Sequence, residues 1–211
     1  MTDELSRNEV IDILIKSSSA VREQREHIRK LDAAAGDGDL GITINKGFKA
    51  FEEFLSENEE EEISLSNLLQ KGGMEFNNAG ASTFGVFFAT ACMEAAKEVK
   101  GEQVTLDTIG EMFQAAVDGI KKRGDAEVGD KTLLDALVPA TETLQEAATR
   151  GESIGQAMAE AAEAAAEGAE STKGMAPKTG RAKQLGEQTK DVTDPGAEVV
   201  RLFLQELASN L

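Results

Sequence analysis

The sequence predicts an all-α protein, and three observations carry that expectation. Ala, Glu, Leu, Gln and Lys, the helix formers, dominate the composition, whereas the aromatics on which β-sandwiches and barrels draw are nine Phe with no Tyr and no Trp. Apolar residues recur at spacings of three and four between cap signals. No segment alternates convincingly enough to be a strand. At 211 residues the chain is long enough for one large domain with a sizeable core, and no Pro/Ser-rich linker divides it.

The elements follow in order. Ser6 and Glu9 have the spacing of a capping box. After them Val10, Ile13, Leu14, Val21, Ile28 and Leu31 form one stripe, which predicts a single long helix ending at Gly36. A second helix runs from about Gly41 to Leu55. The charge run SENEEEEIS reads as a solvated loop. Residues 64–77 form a third helix, broken by NAGAS, and Ser82 caps a fourth, TFGVFFATACMEAAKEV. The stretch EQVTLDTI is the nearest to a strand, and reads better as the start of a fifth helix, Thr105 to Lys122, closed by Gly124. Asp130 caps a sixth, running to about Thr149, and Ser153 caps a seventh, ending near Thr172. The seventh, with its AEAAEAAAEGAE run, is a small-residue helix suited to close packing. A long loop of little periodicity follows, and loops of that length are usually functional or flexible. Asp194 and Pro195 then read as N-cap and first-turn proline of an eighth helix, to about Ala208. Short connections make consecutive helices antiparallel neighbours.

The formal net charge is −17. Nucleic acid and anionic membranes reward Lys and Arg, so neither is an expected partner, and a phosphorylated ligand would need positive charge from metal ions or helix N-termini. The N-terminus shows no apolar signal segment, and no apolar run approaches the ~20 residues of a membrane span; a cytoplasmic protein is expected. Cys92, the only cysteine, lies in the apolar run FFATACMEAA and reads as a core thiol. His27, the only histidine, lies in the first helix and reads as a surface or packing residue. No Ser/His/Asp or Cys/His arrangement can be assembled.

The most informative stretch is LDAAAGDGDLG. It sets Asp32, Asp37 and Asp39 within eight residues, with no basic residue among them. Gly36 and Gly38 allow the backbone to fold back toward Asp32, so the three carboxylates can converge. Converging carboxylates repel unless protonated or bridged by a cation, and hard oxygen ligands suit Mg²⁺ or Ca²⁺. The order is not that of an EF-hand. Two readings stand, a turn that caps a helix and a metal site. Elsewhere, NAGASTFG places glycine and a hydroxyl at a helix start, where free N–H groups favour phosphate; Ser82 as a plain N-cap is the alternative. Gly124 and Gly129 are spaced as in a P-loop, but Asp130 intrudes before Lys131 and no strand precedes. Arg181, in KTGRAKQLGEQ, is a candidate phosphate contact or a solvated surface charge.

The succession LDAAAGDGDLG, NAGASTFG, KRGDAEVGDKTLLDAL and GRAKQLGEQTKDVTDPGA resembles the nucleotide-binding L subunit of bacterial dihydroxyacetone kinases, the same domain as the C-terminal part of single-chain dihydroxyacetone kinases. The resemblance covers nearly all of residues 1–211. It implies a barrel of eight antiparallel helices with the nucleotide site at one end. It implies that Asp32, Asp37 and Asp39 bind two Mg²⁺ ions, which hold the phosphates of ADP or ATP. It further implies that Leu40, Gly41, Ile42, Thr43, Gly80, Ala81, Ser82, Gly124, Leu133, Arg181, Asp194, Pro195 and Gly196 line the nucleotide. Leu40 stands where the family has His, and NAGASTFG differs from the family's usual second loop. In such systems a separate K subunit holds the ketose, and the phosphoryl donor is a phosphotransferase-system protein or free ATP; a homodimer is a further expectation. From another class, a non-catalytic nucleotide-sensing regulator that docks on a kinase or transcription factor would share these motifs. A purely structural bundle would leave the aspartates unexplained.

Overall fold

The computed structural model describes residues 4–59, 63–101, 103–179, 183 and 186–211. Nine α-helices are found among them: α1 (Arg7–Glu23), α2 (Arg25–Ala35), α3 (Leu40–Glu57), α4 (Leu65–Ala79), α5 (Thr83–Glu98), α6 (Leu106–Gly124), α7 (Leu134–Arg150), α8 (Ile154–Ser171) and α9 (Pro195–Ser209). No helix among the described residues is long and apolar enough to cross a membrane.

Most predicted caps are present. The Ser6 hydroxyl accepts from the Glu9 amide, and the Glu9 carboxylate accepts from the Ser6 amide. Ser82 accepts from the Gly85 amide, Ser153 from Gln156 and Asp194 from Ala197. Each satisfies an N–H that the helix itself leaves orphaned.

Three expectations are corrected. The long first helix is two, because Gln24 leaves helical geometry at ψ 4°. The turn lets α2 lean onto α3 and α9, where a Cβ at Gly41 would lie 2.5 Å from the Arg25 carbonyl oxygen. Only glycine permits that approach. Second, Gln103–Thr105 is a strand, paired antiparallel with Glu4–Ser6. Three-residue strands carry too little pattern to be read from sequence. Third, Asp130 does not cap the helix after it: α7 begins at Leu134, and the Asp130 carboxylate accepts from the Glu127 amide instead. The solvated-loop reading of residues 56–64 falls partly, at 60–62, outside the described residues.

Helix contacts define a closed ring: α1 on α3, α3 on α4, and so in sequence to α8 on α9, with α9 returning to α1. These eight form the predicted barrel, and α2 packs outside the ring. Because neighbours alternate in direction, α3, α5, α7 and α9 begin at one end and α1, α4, α6 and α8 at the other. The β1–β2 pair (Glu4–Ser6 with Gln103–Thr105) closes the second end.

The interior has two textures. On one side Phe48 meets Phe76 edge-on at 4.9 Å between centroids, Phe88 edge-on at 5.2 Å, and Phe203 stacked at 5.5 Å. On the other, α7 and α8 meet through Ala136, Ala140, Ala147, Ala157, Ala161 and Ala165. There Gly168 lies where any side chain would strike the Asp135 carbonyl. The AEAAEAAAEGAE run thus packs closely, as its small residues predict. An apolar void of about 160 Å³ remains between Phe84, Phe88, Cys92, Met112 and Phe203. Cys92 sits in its wall, and burial pushes its thiol up to about 12, too high for a reactive thiolate at neutral pH.

Phe48 is almost fully buried and touches three other rings. Phe48→Ala would extend the existing void and is expected to cost about 3–5 kcal/mol, measured as a shift of the denaturant midpoint; a loss under about 1 kcal/mol would mean that the barrel collapses to fill the gap.

Candidate functional site

The end of the barrel where α3, α5, α7 and α9 begin holds a cleft of about 300 Å³. One wall is the aspartate turn. After α2, Gly36 is extended and Gly38 adopts φ 76°, a left-handed conformation that costs glycine little. The chain thereby reverses between Asp37 and Asp39. The Asp32 carboxylate accepts from the Leu40 amide at 2.9 Å, so α3 is capped by a residue of the preceding helix. Asp39, at the N-cap position, makes no side-chain cap. One carboxylate oxygen from each of Asp32, Asp37 and Asp39 lies within 4.8 Å of the other two. Asp32 is half-buried, Asp37 and Asp39 exposed. Three convergent hard-oxygen donors with room above them fit a small divalent cation, and the cation would cancel a repulsion that the turn otherwise bears.

The facing wall is built by residues 124–135, 172–179 and 186–196. Asp135, 2% exposed, accepts from the Gly129 amide at 2.6 Å and the Thr132 amide at 2.7 Å. From within α7 it thus clamps the turn that precedes the helix, while α7 itself starts without a side-chain cap. The clamped turn leaves Lys131 at φ 61°, with its ammonium donating to three carbonyls, Met175, Thr189 and Lys190. Asp194 caps α9 with its side chain, and its own amide donates to the Thr172 hydroxyl at 2.8 Å. Burial pushes the Asp194 carboxyl up to about 7; the Ala197 amide opposes this and nearby Asp135 adds to it.

Of the residues singled out from sequence, Asp32, Asp37, Asp39, Leu40, Ser82, Gly124, Leu133, Asp194, Pro195 and Gly196 all line this one cleft. Gly41, Ile42, Thr43, Gly80 and Ala81 lie beside it, outside the lining. Gly41 packs α3 on α2, Gly80 lies against the Thr43 carbonyl, Thr43 is buried, and Ile42 is 53% exposed. Arg181 lies outside the described residues. The lining also contains Thr83, Phe84, Phe87, Ile120, Ala126, Thr132 and Thr179, which sequence reasoning did not select. Phe84 and Phe87 carry only the signal of core residues in a helical stripe, so nothing in the sequence marks them as facing a cleft. Asp135 and Lys131 were also missed in these roles, although the DKTLLD spacing holds both. His27, as expected, is no part of the cleft. It meets Glu198 at 2.8 Å, beside Arg201. Burial raises the Glu198 carboxyl, but hydrogen bonds from Arg201 and His27 outweigh it and hold the group below the usual range.

Among the described residues the lining includes one cation, Lys131, whose ammonium is already engaged by backbone. Four helix N-termini face the same space, and each brings the positive end of its helix dipole toward it. The fold and the chemistry of its mouth therefore define an all-helical ligand-binding domain suited to an anion accompanied by a cation.

Comparison with known proteins makes this particular. The DAK2 domain model matches residues 34–209, and the chain belongs to that family. It is 33% identical over 205 residues to the ADP-binding subunit DhaL of the PEP-dependent dihydroxyacetone kinase of Escherichia coli K12, covering 97% of each chain. It is 30% identical over 200 residues to the ADP-binding subunit DhaL of PEP-dependent dihydroxyacetone kinase 2 of Listeria innocua, covering 94% of this chain and 92% of that one. Its fold matches the crystal structure of the dihydroxyacetone kinase of C. freundii in complex with AMP-PNP and Mg²⁺, with a TM-score of 0.73 and 22% identity, over 96% of this chain and 34% of that longer one. That last likeness is one of fold.

The protonation of Asp194 sets a pH dependence. An unfolded aspartate releases its proton near pH 4, whereas the folded chain holds this one to about 7. Between those values the folded state binds more protons, so the contribution of this group to stability is full below about pH 4 and falls as the pH rises through 7. Asp194→Asn keeps an N-cap of equal quality and removes the titration. Its melting temperature, taken without nucleotide or metal, is expected to gain on the wild type between pH 5 and pH 8. A constant gap across that range would show that Asp194 is ionised throughout.

Proposed function

We propose that this chain, over residues 1–211, is the nucleotide-binding subunit of a dihydroxyacetone-type kinase, holding ADP or ATP with magnesium and passing a phosphoryl group to a short ketose carried by a separate K subunit. The observation that carries this reading is the meeting, in one cleft, of three carboxylates and four helix N-termini. The first need a cation and the second an anion, and a magnesium nucleotide supplies both. Kinship with ADP-binding subunits of dihydroxyacetone kinases supports the same assignment.

In this reading Asp32, Asp37 and Asp39 hold two Mg²⁺ ions. Bound there, magnesium would neutralise phosphate charge and fix the phosphates against the carboxylates. The N–H groups of the first turn of α5, beyond Ser82, face the same anion, and the dipoles of α3 and α9 point their positive ends toward it. Phe84, Phe87, Ile120 and Leu133 supply an apolar wall for a nucleobase. Arg181, outside the described residues, is in this reading a phosphate contact. Phosphoryl transfer suits such an inventory, since positioning and charge neutralisation do most of the work. The described lining contains no His and no Cys to capture a ketone, which favours a ketose carried by a partner. The PEP-dependent character of the named relatives favours recharging of bound ADP by a phosphotransferase-system protein over exchange for free ATP. Such a subunit acts in the cytoplasm.

Thermal melting with and without Mg-ADP tests the site. At about 100 times Kd a ligand adds about 2.7 kcal/mol, or about 5–10 °C for a domain of this size. Asp37→Asn keeps the shape and serves a turn equally well, but is a poor Mg²⁺ ligand. It is expected to lose most of the ligand-induced shift while melting no lower than the wild type when unliganded. Equal shifts in the two proteins would reduce the aspartates to a turn.

The isolated chain supplied with ATP is expected to leave dihydroxyacetone unphosphorylated, and to support phosphorylation once a K-type partner is added. Steady triose phosphate formation by the chain alone, followed by a coupled assay, would refute the division of labour.

A further inference from the structure

We propose that Lys131 is a positioning residue: its ammonium ties the two limbs of the α8–α9 connection to the 129–133 turn and so fixes the wall of the cleft facing the aspartates. The proposal rests on the nucleotide reading of that cleft.

Lys131 is 3% exposed. A buried ammonium is costly unless paired, and in so acidic a chain a carboxylate partner would be easy to supply. Among the described residues no ion pair joins Lys131 to a carboxylate; Asp191 and Asp194 act on it only at longer range. Its Nζ donates instead to the carbonyls of Thr189 at 2.8 Å, Met175 at 3.2 Å and Lys190 at 3.3 Å. An ammonium has three N–H donors, and here each has a backbone acceptor. Burial accordingly lowers the pKa of the group. The backbone also bears a cost, for Lys131 sits at φ 61°, which a long side chain rarely adopts. Asp135 holds it there by accepting from the amides on either side, Gly129 and Thr132.

What the three bonds join explains these costs. Met175 lies just beyond α8, on the limb that leads to Thr179. Thr189 and Lys190 lie on the limb that leads to Asp194, Pro195 and Gly196. Thr132 and Leu133 adjoin Lys131 itself. All six of these last-named groups, from Thr179 to Leu133, line the cleft. One ammonium therefore sets three separate stretches of the wall in register. The other ties, from the Gly174 amide to the Lys190 carbonyl, from the Asp194 amide to the Thr172 hydroxyl, and from Lys178 to Asp130 through both backbone and side chain, join these stretches only in pairs. A residue needed merely to fill space could be apolar.

The test compares wild type with Lys131→Met and Lys131→Arg. Calorimetry gives Mg-ADP affinity, stopped flow gives ADP release, and melting without nucleotide reports the fold. Lys131→Met leaves three backbone carbonyls without their donor, so the unliganded Met variant is expected to melt below the wild type while remaining folded at room temperature. Its Mg-ADP affinity is expected to fall at least tenfold, mainly through faster release, and Lys131→Arg, which still donates to carbonyls, is expected to recover part of it. Wild-type affinity in the Met variant overturns the proposal. So does a loss of affinity that disappears once both proteins are compared well below their melting temperatures, which marks a purely structural role. Should the Met variant fail to fold, Lys131→Gln carries the same test with the same outcomes. A wild type that binds no Mg-ADP overturns the nucleotide reading itself, and this role with it.

Discussion

Closure of an up-and-down ring of helices is the constraint from which the rest follows. In such a ring every second connection falls at the same end, so the stretches around residues 36–40, 80–82, 124–133 and 172–194 are brought together by topology alone. The same alternation makes α3, α5, α7 and α9 all start there. Their N-termini give an acidic chain a local concentration of positive dipole. The seal is the packing of α9 on α1; without it the ring opens, and the Asp194–Gly196 segment no longer faces Asp32.

The two ends of the barrel are finished differently. At the far end, Ser6, Thr105 and Ser153 cap their helices with their own hydroxyls, and the β1–β2 pair covers the gap. These are inexpensive local devices. At the mouth the costs are of another kind: three neighbouring carboxylates, a carboxyl pushed up to about 7 by burial, and a lysine with positive φ that, among the described residues, has no ion pair with a carboxylate. Strain and buried charge gather where a ligand can repay them. The DAK2 kinship and the proposed magnesium nucleotide fit that distribution, because a cation relieves the aspartates and the phosphates answer the helix ends.

The interior shows how the barrel keeps its shape around an imperfect core. Alanine and glycine let α7 and α8 approach closely, which makes one side of the ring stiff. Phenylalanines fill the other side, where helices stand farther apart and a void remains. Phe84 and Phe87 belong to both regions, since they border the void and also line the cleft. Core packing and the apolar wall of the site are thus coupled through two residues of α5.

Much of this was legible in the sequence. Helix caps and apolar periodicity are local, so Ser6, Ser82, Ser153 and Asp194 marked their helices correctly, and the crowding of Asp32, Asp37 and Asp39 marked a candidate cation site, whose three carboxylates the fold brings together. The family motifs extended that reading to the barrel and to most of the cleft lining. The errors have tertiary origins. The break at Gln24 depends on what α2 leans against, and the Gln103–Thr105 strand exists only because Glu4–Ser6 arrives beside it. Asp130 had the right residue type for a cap, but Asp135 reached the amides from inside the helix. Lys131 looked like part of a failed P-loop; only the folded chain brings Met175, Thr189 and Lys190 around it. The sequence by itself determined the helices, their caps and the chemistry of the acidic turn, since these depend on residues a few positions apart. The tertiary structure decided which carbonyls, rings and helix ends share the cleft, because those contacts join residues tens of positions apart and their energies appear only when the ring closes.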